Sequence, residues 1–278
     1  MPTPPTGVYN IYDFGTPDPT GTLDASVAIN AAATAAKAAG GGIVFIPPGT
    51  YAIQTTISLD NNVWLVGSDQ GDTILTAMGN LQIQVPPPGT LPTYTAAMVA
   101  NSEQIPTPPS MPTAQYNMGV RDLTFNGNAS MQPGAIYSQS GATLDFLFVI
   151  GVTIERCRIY NCQNHAITVD RLLGGGVIGA TAVGNIRIVD NIIDVMATPS
   201  GNYGQPTGNL SIRVSGWANV IVRNNIIGYN PDPNIEWVAW WSNDGIDLIV
   251  CSDSEVSGNQ ITYVTDGIGC DWGASCIA

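Results

Sequence analysis

The chain has 278 residues, of which only 10% are charged, with 31 glycines, 20 prolines and a formal net charge of −13. That balance excludes a phosphate-binding surface, which needs clustered Lys and Arg, and argues against docking on anionic membranes. Asn, Thr, Ser, Gly and Pro in place of Lys and Glu exclude a largely helical protein and favour many short strands joined by tight turns.

After Met1, "PTPPTGVYN" has neither a basic start nor an apolar run, so no secretory signal is expected there, and no stretch of 18 apolar residues spans a bilayer. Five cysteines are too few and odd in number for a disulfide framework. Cys157, Cys251 and Cys270 lie in strand-like contexts and read as small buried hydrophobes, and no ligand spacing suggests zinc.

Residues 1–80 open with a strand, "YNIYDFG". A helix is predicted over 23–39, with Ala25, Ala28, Ile29, Ala32 and Ala36 on one side, Thr22 or Asp24 as its cap and Gly40–Gly42 as its stop. Short β-rich runs follow in "IVFIPPGTY", "ISLDNNVWLVG" and "DTILTA". Residues 82–116 carry eight of the prolines and are expected to form an extended loop, serving as a binding wall, a subunit contact or a flexible excursion.

From 118 to 278 the chain repeats. "GVTIERCRIYNCQNHAITVD", "GNIRIVDNIIDV", "ANVIVRNNIIGY" and "DSEVSGNQITYV" share apolar–polar alternation, then Asn or Cys, then a further apolar position. "NHAITVD", "GNLSIRV", "NDGIDLI" and "TDGIGCD" read as the second strand of each unit. A period near 22 residues, lengthened by inserts at 196–208 and 230–242, marks a solenoid whose coils bury their apolar faces on one another. The early helix would cap its open first edge.

The stretch "YNIYDFGTPDPTGTLDASVAINAAATAAKAAGGGIVFIPPGTYAI" resembles the opening of the pectate-lyase superfamily, as found in phage tailspikes, polygalacturonases and alginate epimerases. The resemblance implies an all-β, right-handed, single-stranded parallel β-helix with an N-terminal capping helix, one domain over 1–278. The family's acidic turn is here "PDPTGTLD", with Asp18 and Asp24 as its remnants.

Stacking the second strands puts His165, Asn209, Asp244 and Asp266 in one column, about 4.8 Å apart from coil to coil. Two carboxylates so placed would hold their protons unequally, as a glycosidase requires. Asn243-Asp244-Gly245 and Asp266 with Cys270 are also similar to the "NTDG" and "GDDC" steps of polygalacturonases, which implies an acid or base role for Asp244 and Asp266. The second step has one Asp where the family has two, and the later Gly-His-Gly and Arg-x-Lys elements have no counterpart. The alternative is that each Asp-Gly merely turns a corner.

Trp237, Trp240 and Trp241 precede Asp244, and Trp272 follows Asp271; their rings suit either sugar faces or a subunit interface. Glu236, Asp244, Asp247, Asp266 and Asp271 could surround a calcium ion, though no known ligand loop is present. His165, in "NCQNHAITVD", is loosely similar to the "YGxDPHE" step of mannuronan epimerases but reads as a satisfied corner residue. Arg171, Arg213 and Arg223 are candidates for a lyase base, with no motif to choose among them, and Asp170 and Asp271 align with Ile249 between them.

The expected function is a tailspike-like protein that binds polysaccharide along the face bearing Trp237, Trp240, Trp241, Trp272, Glu236, Asp271 and His165. Cleavage by hydrolysis or elimination would be at Asp244 and Asp266. The alternative is a non-catalytic spike, decoration or adhesin protein. Either places the chain on a virion or outside the cell, and the tailspike resemblance implies a homotrimer.

Overall fold

The structure is a computed structural model. It describes residues 7–82, 97–102, 114–128, 142–162, 165–171, 182–194, 210–229, 244–262, 264, 266–271 and 276–277. The chain winds as a right-handed parallel β-helix, the hand taken by parallel crossovers. Each full coil contributes one strand to each of three parallel sheets, here A, B and C. Sheet A runs from Val8–Asn10 through Val63–Gly67 and Val149–Glu155 to Cys276–Ile277. Sheet B runs from Thr20–Asp24 to Gln260–Ile261, and sheet C from Ile57–Leu59 to Asp266–Asp271. The repeat therefore has three strands, not two: each "first strand" of the sequence pattern bends at its Asn or Cys, leaving sheet A and entering sheet B.

Inward rows of Ile, Val, Leu and Phe fill the interior. In sheet C the row Leu144, Ile167, Ile212, Ile246 is fully buried, and its next member, Ile268, is 43% exposed because it lies on the last described strand of that sheet. Cys157, Cys162 and Cys251 are free and buried, and burial pushes their thiols up to about 12, about 12 and about 11. Cys270 departs from the expectation. It is exposed and disulfide-bonded, on the last described strand of sheet C.

The helix spans Ser26–Ala38, three residues later than predicted, because 20–24 pairs as a strand with Gly49–Thr55. Ile29, Ala32, Ala33 and Ala36 join the core, so the helix closes the first coils as expected. Asp24 accepts from Ser26 N at 2.9 Å and from Gln54 N at 3.1 Å, tying the helix start to sheet B. Asp18 accepts from the amides of Thr20, Thr22 and Leu23, so both remnants of the acidic turn are spent on backbone. Within 82–116, expected as loop, Val99–Asn101 is a strand of sheet C between Ile57–Leu59 and Leu144–Leu147.

From Gln115–Arg121 onward, the corners from sheet A to sheet B are two residues long and strictly repeated. Asp122, Arg156, Asp190, Asn224 and Gly258 all take positive φ there, between 49° and 64°. The next residue is fully buried on four of these coils, at Leu123, Cys157, Asn191 and Asn225, and partly buried at Asn259. Asn225 Oδ1 accepts from Asn191 N (3.0 Å) and Nδ2 (2.9 Å), while Asn225 Nδ2 donates to Ile188 O (3.0 Å) and Asn259 Oδ1 (2.9 Å). Asn191 Oδ1 in turn accepts from Cys157 N, so the ladder continues at a spacing of 34 residues. These side chains satisfy amides that the corner removes from the sheet ladder. From Leu144–Leu147 onward, the long connections between described strands instead enter or leave sheet C.

Candidate functional site

Alternation along each strand of sheet C sends every second side chain away from the core. Register then sets Asp145, Thr168, Arg213 and Asp247 in one outward row, with Gly269 as the next position. The adjacent outward row is Leu147, Asp170, Ser215 and Ile249, with Asp271 the next position in register. Three carboxylates and a guanidinium thus fall on four successive coils, spanning three strand spacings or about 14 Å.

These groups face away from the core and yet are largely buried, Thr168 and Asp247 to 4% and 6% exposure. Thr168 Oγ1 donates to Asp145 Oδ1 at 2.6 Å, which fixes that carboxylate. Arg213 reaches diagonally so that Nε lies 3.6 Å from Asp170 Oδ1, an ion pair without a hydrogen bond at either atom. Burial pushes the Asp170 carboxyl up to about 7, opposed by Arg213 and reinforced by the negative charges of Asp145 and Asp247. A carboxyl near 7 populates both protonation states at neutral pH, the condition for a general acid or base. Among the described residues no three His, Cys, Asp or Glu side chains come together so as to hold a metal ion.

The architecture and the opening sequence meet in one comparison. The model of the family described as rhamnogalacturonase A/epimerase, pectate lyase-like, matches residues 8–229. The chain belongs to this family. Mannuronan C5-epimerase AlgE6 of Azotobacter vinelandii is 34% identical over 189 residues, 61% of this chain and 19% of that protein. Alginate lyase 7 of the same organism is 27% identical over 173 residues, 57% of this chain and 17% of that protein. The chain therefore spans less than a fifth of the length of either relative. Among solved structures, the N-terminal fragment of bacteriophage phi29 gene product 12 superposes with a TM-score of 0.60 at 15% identity, covering 96% of this chain and 42% of that one. PfbA, a surface adhesin of Streptococcus pneumoniae, gives 0.59 at 15% identity over 92% of this chain and 63% of its own. At such identities the superpositions establish the fold.

The residues singled out from sequence fall in three groups. Asp244 does lie opposite Asp266, but the third member of that row is Leu210, not Asn209, which is outside the described residues. Continued back by two residues from Ile167, the same register leads to His165, which is 5% exposed and whose carbonyl accepts from Thr143 N at 3.0 Å. This row has the inward parity of Ile246 and Ile268, so it begins on the opposite side of the strand from Asp145, Asp170 and Asp247. Asp271 lies opposite Ile249 as expected. Glu236, Trp237, Trp240, Trp241 and Trp272 lie outside the described residues.

The Asp-Gly steps do not turn corners. Both are inside strands, Asp244–Ile249 and Asp266–Asp271, and neither glycine has a left-handed φ. Gly245 is required by close packing: a Cβ there would lie 2.7 Å from Gly267 O and from Ile261 Cγ2.

Asp145 was missed, Asp247 was read only as a possible calcium ligand, and Asp170 and Arg213 were seen without a reason to join them. The signal was present in "TLDFLF", "AITVD", "SIRVS" and "GIDLI". Stacked on their apolar residues, these put Asp145, Thr168, Arg213 and Asp247 in one column.

Proposed function

We propose that the chain binds an acidic polysaccharide, a polymer of uronic acids, along the outer face of sheet C and abstracts a proton from the sugar with Asp170. The observation that carries this reading is the Asp170–Arg213 pair: a carboxyl near 7 and a guanidinium 3.6 Å apart on one outward face. Arg213 would neutralise the substrate carboxylate, which makes the adjoining C5–H bond more acidic. The C5–H bond breaks, its proton passes to the Asp170 carboxylate, and the electron pair is delocalised into the paired carboxylate. Reprotonation from the other face inverts C5; loss of the 4-linked oxygen instead cleaves the chain and leaves an unsaturated sugar. Neither route consumes a co-reactant. The relatives named mannuronan C5-epimerase and alginate lyase support this class of substrate.

Asp244 and Asp266 remain the rival location, for hydrolysis, on the same sheet. The virion or extracellular setting, trimeric assembly and glycan contacts from the tryptophans belong to this proposal as well. The test incubates the protein with polymannuronate in deuterated water, reading exchange at C5, epimer content and absorbance from unsaturated ends. Asp170→Asn should lower exchange by about 10²–10⁴-fold, and the Asp244→Asn/Asp266→Asn protein should retain it. New reducing ends without unsaturation, lost only in the double variant, would move the site to the rival pair. A folded protein that binds the polymer and does nothing to it would be an adhesin; one that ignores it would be a structural spike.

A further inference from the structure

The corner leading from sheet C into sheet A lies directly beside Asp170 and carries groups that proton transfer does not use. Phe148 and Arg171 hold equivalent places there on successive coils, Phe148 N donating to Asp170 O at 2.8 Å and Arg171 N to Ser215 O at 3.0 Å. Phe148 has φ of 57°, the left-handed conformation that Gly216 and Val250 also take at the equivalent corner of later coils. The Arg171 guanidinium lies over the Trp217 indole, 6.0 Å from its centroid, and the Phe148 ring stands 6.3 Å from the same indole at 41°.

That indole is fixed from beneath. Trp217 is 1% exposed, and it packs so closely on Gly184 that a Cβ there would come 2.9 Å from Trp217 Cβ and 3.0 Å from Cδ2. Its Nε1 has no hydrogen-bond partner. Phe148 and Arg171 are only half-buried, so the aromatic platform reaches the surface through them.

We propose that Arg171, held on Trp217 beside Phe148, forms a second subsite for the carboxylate of an anionic sugar, next to the sugar whose C5 meets Asp170. The proposal rests on the reading of sheet C as a polyuronate site and assigns a specificity-determining residue within it. A guanidinium stacked on an indole keeps its donor fork in one plane, so less rotamer freedom is lost when it grips a carboxylate. The half-buried Phe148 ring offers an apolar surface to a sugar face. Arg213 and Arg171 then flank Asp170 with two cations, which a polymer bearing one carboxylate per sugar can engage together and a neutral polymer cannot.

The experiment measures binding of an oligomannuronate, and of the same oligomer with its carboxyls reduced to alcohols, in an Asp170→Asn background where turnover does not interfere. Adding Arg171→Gln should weaken the oligomannuronate by about tenfold or more and leave the reduced oligomer unaffected. Arg171→Lys, which keeps the charge and loses the planar fork, should fall between. In the otherwise unaltered chain, Arg171→Gln should raise KM by more than it lowers kcat, with the melting temperature checking the fold. Equal oligomannuronate affinity with and without Arg171→Gln would overturn the subsite, as would an equal loss for the reduced oligomer, which marks a structural role. If Asp170→Asn leaves turnover intact, or its protein binds no oligomannuronate, the reading of sheet C fails and the subsite with it. Arg171→Gln without effect in a protein that binds and needs Asp170 refutes the subsite alone.

Discussion

The corner between sheets A and B and the outer face of sheet C are built from the same coils under opposite rules. At the corner, positions 122, 156, 190, 224 and 258 repeat in conformation, and the buried Asn191 and Asn225 beside them use their amides on neighbouring coils. On sheet C the strands are joined by connections of unequal length, and the outward rows change chemistry at every step. One region satisfies its polar groups internally; the other leaves Asp170 Oδ1 and Arg213 Nε facing each other 3.6 Å apart without a hydrogen bond. A saturated polar network stabilises, whereas buried charge held short of saturation is costly.

That contrast can be tested by breaking each side. The largest stability loss is expected from Asn225→Ala, which strands the buried Asn191 N–H and Ile188 carbonyl; roughly 2–4 kcal/mol should be lost in urea unfolding. A loss under about 0.5 kcal/mol, the range of an ordinary surface change, would show that the ladder is incidental.

Gly245→Ala comes next. Its methyl would enter Gly267 O and Ile261 and force the last coils apart, for about 1–3 kcal/mol. Gly267→Ala meets nothing within 4 Å and should stay within about 0.5 kcal/mol, so two steps alike in sequence separate in calorimetry.

An effect that is small per unit of pH concerns Asp170. Its folded carboxyl lies near 7 and its ordinary value is 3.8, so between these the folded chain holds a proton that the unfolded chain has released. Stability should therefore fall as pH rises through that window, by at most about 1.4 kcal/mol per unit, and level off above it. Asp170→Asn should flatten the slope in unfolding midpoints measured from pH 4 to 8. As a base Asp170 must be unprotonated, so turnover should climb through an apparent value near 7; a profile flat from pH 5 to 8 would remove Asp170 from the reaction.

Much of the scaffold was legible in the residues. The Asn and Cys positions of the stacked repeats are the ladder, and the glycine run after the helix does end it, with φ of 86° at Gly40 and 138° at Gly41. The helix start was misplaced because 20–24 pairs with a strand some thirty residues later, a contact that local pattern does not report. The site was harder. Asp244 and Asp266 were conspicuous because they sit in repeated words; register does set them opposite each other, but with the inward parity of Ile246 and Ile268, and close packing demands the glycine at 245 and not at 267.

By itself, the sequence determined that this chain is a solenoid of short parallel strands with a helical cap and tight Asn- and Gly-rich corners. Those features answer to local demands, burial of alternate side chains and satisfaction of corner amides, which recur on every coil and leave a pattern. Only the tertiary structure decided that Asp145, Asp170, Arg213 and Asp247 share one face. They come from four coils joined by unequal connections, so their neighbourhood depends on strand register, which the spacing along the chain conceals.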